Sequence, residues 1–339
     1  MGTVVVDVMG SDLGSEPLVR GACQFSLEEE VDLILVGDAQ EIVCHMANAQ
    51  HNAKRIRVEH AEDVIHMNEN PRVFRPESSL YKAAQLVLES KGSALVSAGN
   101  TGAVVVCSAK TFQRLPKVET VALAAVYPTR NTHGPRQDPF ALLLDVGATL
   151  HVQAADLVRF AIMGSVYAQV ISENNHPKVA LLSNGEESEK GAPEVVQAHR
   201  ILKGQKEIHF VGNIEGVDIP IGNVDVVVCE GFLGNVVLKL IEGVGEIASS
   251  WIQSVQSVDK DSHDAHLLDP LYSRVFRFAQ LTDWRQYGGA PILGFDQVVI
   301  KAHGRSTPHA IRNAIKLANR AVERDMISKI RHGMSKVSP

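Results

Sequence analysis

At least six times along the chain, a short, flat run of apolar residues ends in a glycine or an acidic residue and then gives way to helical periodicity. The runs are TVVVDVMGSD at 3–12, LILVGD at 33–38, ALVSAGNTG at 94–102, ALLLDVGA at 141–148, VALLSNGEE at 179–187 and DVVVCEGFLGN at 225–235. Strands with one wet face alternate apolar and polar residues, whereas flat runs belong to strands buried on both faces, hence to a parallel sheet covered by helices. Between them lie amphipathic stretches such as SLYKAAQLVLESKG (79–92), DLVRFAIMGSVYAQVI (156–171) and APEVVQAHRILKG (192–204), the last closed by a glycine that suits a helix stop. The pattern predicts a doubly wound α/β fold, a mostly parallel sheet in an αβα sandwich.

In such a fold ligands bind beyond the carboxyl ends of the strands. The turns are therefore expected to gather at one sheet edge and bring together Asp7, Asp12, Asn100, Thr101, Asp145, Glu186, Glu187, Glu230 and Asn235. Each of these residues, taken singly, reads more readily as a helix cap. The sharpest of the turns is LVSAGNTGAVVV at 95–106. Its two glycines let the backbone approach a ligand, and its Asn and Thr suit the start of a helix whose N–H groups attract anions.

A chain of 339 residues with 45% apolar side chains can bury a large core. We expect one α/β domain over 1–330, interrupted at 240–286 by a helical hairpin, with 331–339 as a flexible tail. Within the hairpin, Leu271, Val275, Phe278 and Leu281, with Trp284 nearby, form an apolar stripe that suits a buried helix or a homodimer contact; a membrane surface is the sharper alternative, poorly served by Arg274 and Arg277 as its only central cations. Cys23, Cys44, Cys107 and Cys229 are scattered without a CxxC pair, which reads as reduced thiols in a cytoplasm and argues against a zinc site. The first residues run straight into a strand with no leader pattern and no membrane-spanning run follows, so a soluble or peripheral protein is expected. The net charge is −6, yet residues 301–339 carry nine Lys and Arg against Glu323 and Asp325. A nucleic-acid surface is disfavoured, because aromatic residues make up only 5% of the chain and the whole is acidic.

Two cofactor motifs fail on context. GVGEIA at 243–248 matches GxGxxA but sits well inside a helical pattern, away from the strand end where a pyrophosphate needs it. GEESEKG at 185–191 has the glycines and lysine of a phosphate loop but lacks GK[ST] and is acidic. There is no GxSxG elbow and no His/Cys set with metal spacing.

SAGNTGA (97–103), FAIMGSVYA (160–168), GNVVLK (234–239), YGGAPILG (287–294) and VVIKAHG (298–304), in this order over nearly the whole chain, closely resemble the bacterial phosphate acyltransferases of the PlsX family. The resemblance implies a fold similar to the isopropylmalate dehydrogenase and phosphotransacetylase group. It also implies transfer of a long acyl chain from acyl carrier protein to inorganic phosphate, a homodimer, peripheral membrane contact and a downstream glycerol-3-phosphate acyltransferase. No cofactor or metal is implied. Inorganic phosphate is already an anionic nucleophile and a thiolate is a tolerable leaving group, so the reaction needs a phosphate cradle, oxyanion donors and alignment. On this reading Asn100, Lys239, Lys301 and His303 carry the chemistry. Asp7, Gly10, Asp12, Gly99, Thr101, Gly102, Asp145, Gly147, Glu186, Glu187, Glu230 and Asn235 bind phosphate and substrate. Arg305, Arg312, Lys316 and Arg320 dock the acidic carrier protein; 312, 316 and 320 recur every four residues and so line one helix face.

The chain departs from the family pattern at Ser11 in DVMGSD, Thr149 and His151 in GATLH, Ser183 and Asn184 in SNGEE, and Glu230 and Leu233 in EGFLGN. These departures keep two alternatives open: a catalytically weak carrier-protein or membrane scaffold, and a short-chain phosphotransacetylase-like enzyme.

Overall fold

The computed structural model describes residues 2–135, 137–256 and 288–336. Among the described residues eleven strands form one sheet in the order β3-β2-β1-β4-β11-β10-β5-β6-β9-β7-β8. They are β1 Thr3–Asp7, β2 Asp32–Gly37, β3 Ile56–His60, β4 Ala94–Ser97, β5 Ala122–His133, β6 Asp138–Leu144, β7 Lys178–Leu182, β8 His209–Ile214, β9 Val226–Val228, β10 Ala290–Leu293 and β11 Val298–Lys301. The flat apolar runs are the central strands: Val4, Val5 and Val6, and Val226, Val227 and Val228, are all buried because helices cover both faces. The expected αβα sandwich is therefore the fold.

The sheet is parallel in two blocks, β3-β2-β1-β4-β11 and β6-β9-β7-β8. Between them stand three antiparallel pairings, β11 with β10, β10 with β5, and β5 with β6. An odd number of reversals leaves the two blocks running in opposite directions. The expectation that all the strand-end turns share one edge is thus corrected: those after β1, β4 and β11 lie at one edge and those after β6, β7 and β9 at the other.

The helices are α1 Glu16–Glu28, α2 Ala39–Ala47, α3 Ser79–Leu88, α4 Thr101–Thr111, α5 Ala154–Ile171, α6 Pro193–Lys203, α7 Gly231–Gln256, α8 Pro308–Glu323 and α9 Met326–Lys336. α5 is long and apolar enough to cross a bilayer but is mostly buried, as the core helix over β7 and β9. Its Gly164 makes that approach possible, since a Cβ there would lie 2.6 Å from Val226 Cγ1. GVGEIA falls inside α7, as its helical context implied. Cys23, Cys107 and Cys229 are buried and all four cysteines are free.

Two boundary expectations change. The helix read as opening the hairpin at 240 starts at Gly231, directly after β9. The second limb, with the stripe at 271–284, lies outside the described residues. Residues 331–336 are not a tail but the end of α9, because Met326, Ile330 and Met334 recur every four residues and are buried, with α9 packed on α5.

Candidate active site

Where the two blocks meet, the connections are hairpins that need no crossover helix, and a cavity of about 540 Å³ and another of about 430 Å³ open on either flank of α7. The smaller lies over the junction strands. Lys301 ends β11 and pairs with Ala290 of β10, while Leu123 and Ala125 of β5 continue the floor. Thr101 at the start of α4, Val146 and Gly147 after β6, and Asn235, Leu238, Lys239 and Glu242 of α7 complete the walls with His303. α7 lies close because Gly234 rests against the Asp145 carbonyl, where any Cβ would collide.

The polar end of this cavity is cationic. Lys301 is 6% exposed, and its ammonium contacts the Ala302 carbonyl. Burial brings its pKa down to about 8, against the opposing pull of Asp12 and then Asp7. Lys239 lies on the α7 side, with Nζ 2.6 Å from Glu242 Oε2. Burial, then repulsion from Lys239, Lys301 and Arg305, lowers His303 to about 4, so its ring is neutral at pH 7. The Arg305 N–H donates to His303 Nδ1 at 3.1 Å, which leaves the ring proton on Nε2 as a donor. The start of α4 at Thr101 adds the positive end of a helix dipole.

Of the residues named from sequence, Lys301, His303, Lys239, Thr101, Gly147 and Asn235 line this one cavity. Asn100 does not. It is the N-cap of α4, with Oδ1 accepting from Ala103 N at 3.1 Å and Nδ2 donating to Met67 O at 2.8 Å and Glu69 O. The AGNTG turn thus holds a strap over 61–78 in place, with Gly102 packed on Pro71 and Gly10, at φ +75, against the Ile65 carbonyl. Gly99 spends its N–H on Ser97 Oγ at 3.2 Å. Asp7 is fully enclosed and accepts from Ser97 Oγ at 2.7 Å. Asp12 sits beside Gly304, its N–H donating to the Gly304 carbonyl at 2.9 Å. Both carboxylates act electrostatically on Lys301 and so favour its charged form, and neither lines the cavity.

Asp145 is a loop organiser. It accepts from the N–H groups of Leu123, Gly147, Ala148 and Thr149 and from Thr149 Oγ1, and is fully buried. Thr149 in turn accepts from Gly231 N at 3.1 Å, which ties the loop to α7. Glu186 and Glu187 are exposed on the loop after β7, at the opposite edge. Glu230 lines the larger cavity, with His151, Ser183, Cys229, Leu233 and Val237.

The basic stripe is mostly neutralised within the molecule. Arg312 pairs with Glu28 at 2.9 Å, Lys316 with Glu29 at 3.4 Å, and Arg320 with Glu173 at 3.4 Å. Arg305 is exposed two residues from His303. Sequence reasoning missed Met67, Leu123, Ala125, Val146, Leu238 and Ala290, because an apolar residue that lines a cavity carries the same signal as one that fills a core. Among the described residues no cluster of His, Cys, Asp and Glu is arranged to hold a metal ion.

A mostly parallel sheet broken by central antiparallel strands, with a cavity lined by Lys239, Lys301 and His303 at the break, defines a protein of the phosphotransacetylase fold group. A phosphotransacetylase from Streptococcus pyogenes superposes with a TM-score of 0.62 at 14% identity, covering 98% of this chain and 94% of that one. A branched-chain phosphotransacylase from Enterococcus faecalis V583 gives 0.57 at 18% identity, covering 95% and 99%. Along the sequence, residues 2–329 match the family described as fatty acid synthesis protein. The phosphate acyltransferase of Dictyoglomus turgidum is 36% identical over 339 residues, 99% of this chain and 98% of that protein. The phosphate acyltransferase of Synechocystis sp. is 37% identical over 335 residues, 98% and 94%. The chain belongs to this family, the PlsX phosphate acyltransferases whose motifs it carries.

Proposed function

We propose that the protein transfers a long-chain fatty acyl group from acyl carrier protein to inorganic phosphate, and that the acyl phosphate formed feeds glycerol-3-phosphate acylation. The observation that carries this reading is the cationic end of the cavity, where Lys301, Lys239 and a neutral His303 converge above an apolar floor. A phosphate oxygen attacks the thioester carbonyl and a C–O bond forms. The tetrahedral oxyanion is met by His303 Nε2–H and the Lys301 ammonium, charge-matched donors whose energetic weight grows in a water-poor site. The intermediate then collapses, the C–S bond breaks, and the thiolate leaves to be protonated by water. No enzyme nucleophile is consumed, and binding does most of the work by alignment.

Incubation with hexadecanoyl acyl carrier protein and phosphate tests the proposal through phosphate-dependent release of free carrier protein. Binding without turnover supports a scaffold instead, and faster turnover of acetyl-coenzyme A supports the short-chain alternative. The same reading makes the protein a cytoplasmic homodimer in contact with a membrane. Its support is the exposed apolar line Val236, Leu240, Val244 and Ile247 on α7. Sedimentation as a monomer at micromolar concentration counts against the dimer, and vesicle flotation decides the membrane contact.

A further inference from the structure

The floor of the smaller cavity has an unusual composition for the middle of a sheet. Lys301, Ala290 and Ala125 stand in one row across β11, β10 and β5; Lys301 pairs with Ala290, and Ala125 lies two residues beyond Leu123, the partner of Ile292. Residues two apart on a strand share a face, so Leu123 is the next floor residue away from the lysine. Central strands favour β-branched and aromatic side chains, and native interiors are packed to crystal density. Two alanines side by side under α7, with Gly289 and Gly147 at the margins, instead leave an open space of about 430 Å³. Its far walls are Leu123, Val146 and Leu238.

We propose that this floor is the acyl-chain subsite, and that Ala125 and Ala290 form the opening through which the chain runs from the carbonyl at Lys301 toward Leu123, Val146 and Leu238. The inference rests on the acyl-transfer reading and says where the donor's carbons lie. Phosphate is confined to the cationic end, because an unpaired anion on an apolar floor loses its solvation. The thioester carbonyl must meet Lys301 and His303, so its first methylenes begin at the row of alanines. The larger cavity shares no lining residue with this path. It is lined by Leu233 and Val237 on the other flank of α7, and the Asp145–Thr149 loop seals against Gly231 and Gly234 between the two.

The test compares kcat/KM for octanoyl, hexadecanoyl and octadecanoyl carrier-protein donors with phosphate. Burying one methylene is worth roughly a factor of four. Ala125→Leu adds three carbons at the opening that every one of these chains must pass, so it is expected to lower kcat/KM at least tenfold for all three donors, while an acetyl carrier-protein donor, whose single methyl stops at the opening, loses much less. Leu123→Ala extends the far end and is expected to raise the octadecanoyl-to-hexadecanoyl ratio several-fold, a gain that partial unfolding does not produce. Melting temperatures accompany both variants. An acetyl donor that loses as much as the longer donors in Ala125→Leu, together with an unchanged ratio in Leu123→Ala, overturns the subsite. Wild-type protein with no phosphate-dependent turnover of any donor sinks the acyl-transfer reading itself, and the subsite with it.

Discussion

Lys301 is the only lysine buried among the described residues, and its titration ties chemistry to stability with opposite signs. The ammonium is the form that stabilises an oxyanion, so activity is expected to fall as pH rises through about 8. Lys301→Arg should remove that alkaline limb, since a guanidinium stays charged, and Lys301→Met should lower kcat/KM by roughly 10²–10³. The folded value of about 8 lies below the ordinary lysine value, so between the two the unfolded chain binds more protons and the lysine's contribution to stability improves as pH rises. Lys301→Met should therefore gain most in melting temperature over wild type near pH 7 and least near pH 10. A gap that is constant with pH would place the lysine's charge outside the fold's energetics. Asn100 behaves differently, because its polar atoms are spent on the α4 cap and the 61–78 strap. Asn100→Ala is expected to cost about 1 kcal/mol in urea unfolding. Asn100→Asp keeps the cap acceptor but loses both donors to the strap, so it should stay near wild-type stability while the strap becomes easier to cleave in limited proteolysis. Asn in a Gly-rich turn reads alike as a cap or a ligand group, which is why the sequence placed it in the pocket.

Helix α8 shows how far periodicity carries at the level of elements. The four-residue spacing of Arg312, Lys316 and Arg320 is visible in sequence and is borne out as one face of α8. Their partners Glu28, Glu29 and Glu173 are not visible there, because they come from the end of α1 and from beyond α5, far away along the chain. Arg312 is the most enclosed of the three basic residues, at 25% exposure. Arg312→Glu sets two carboxylates against each other and is expected to destabilise by about 1 kcal/mol, and adding Glu28→Arg should recover part of it, with a coupling of several tenths of a kcal/mol in a double-mutant cycle. Additive losses in that cycle would show that the pair is geometric only. α9 was legible but overlooked: its polar composition reads as a tail, yet Met326, Ile330 and Met334 already form a four-residue stripe.

At the scale of the whole molecule, the flat apolar runs were enough for the sandwich, because burial on both faces leaves a local signature. Strand direction leaves a much fainter one. The reversal at β10 and β5 is what splits the expected single edge in two, sending Glu186, Glu187 and Glu230 away from Lys301. A partial signal existed in Gly134–Pro135, a turn pair between β5 and β6 that marks a hairpin. For the proposed acyl-carrier-protein donor, the same arrangement sets which basic groups remain to meet an acidic partner. Arg312, Lys316, Arg320 and Arg324 are engaged by Glu28, Glu29 and Glu173, and Lys329, Arg331 and Lys336 are on α9, which packs on α5. Arg305 is exposed, two residues along the chain from the cavity-lining His303, and its charge bears on that imidazole. A charge at the rim steers association more than it changes chemistry, and salt screens it beyond about 8–10 Å. Arg305→Glu is therefore expected to raise KM for acyl carrier protein several-fold at low salt, to lose that effect at high salt, and to leave the KM for the same acyl group on coenzyme A much less affected. Equal effects on the two donors, or an effect independent of salt, would move the carrier-protein contact away from Arg305.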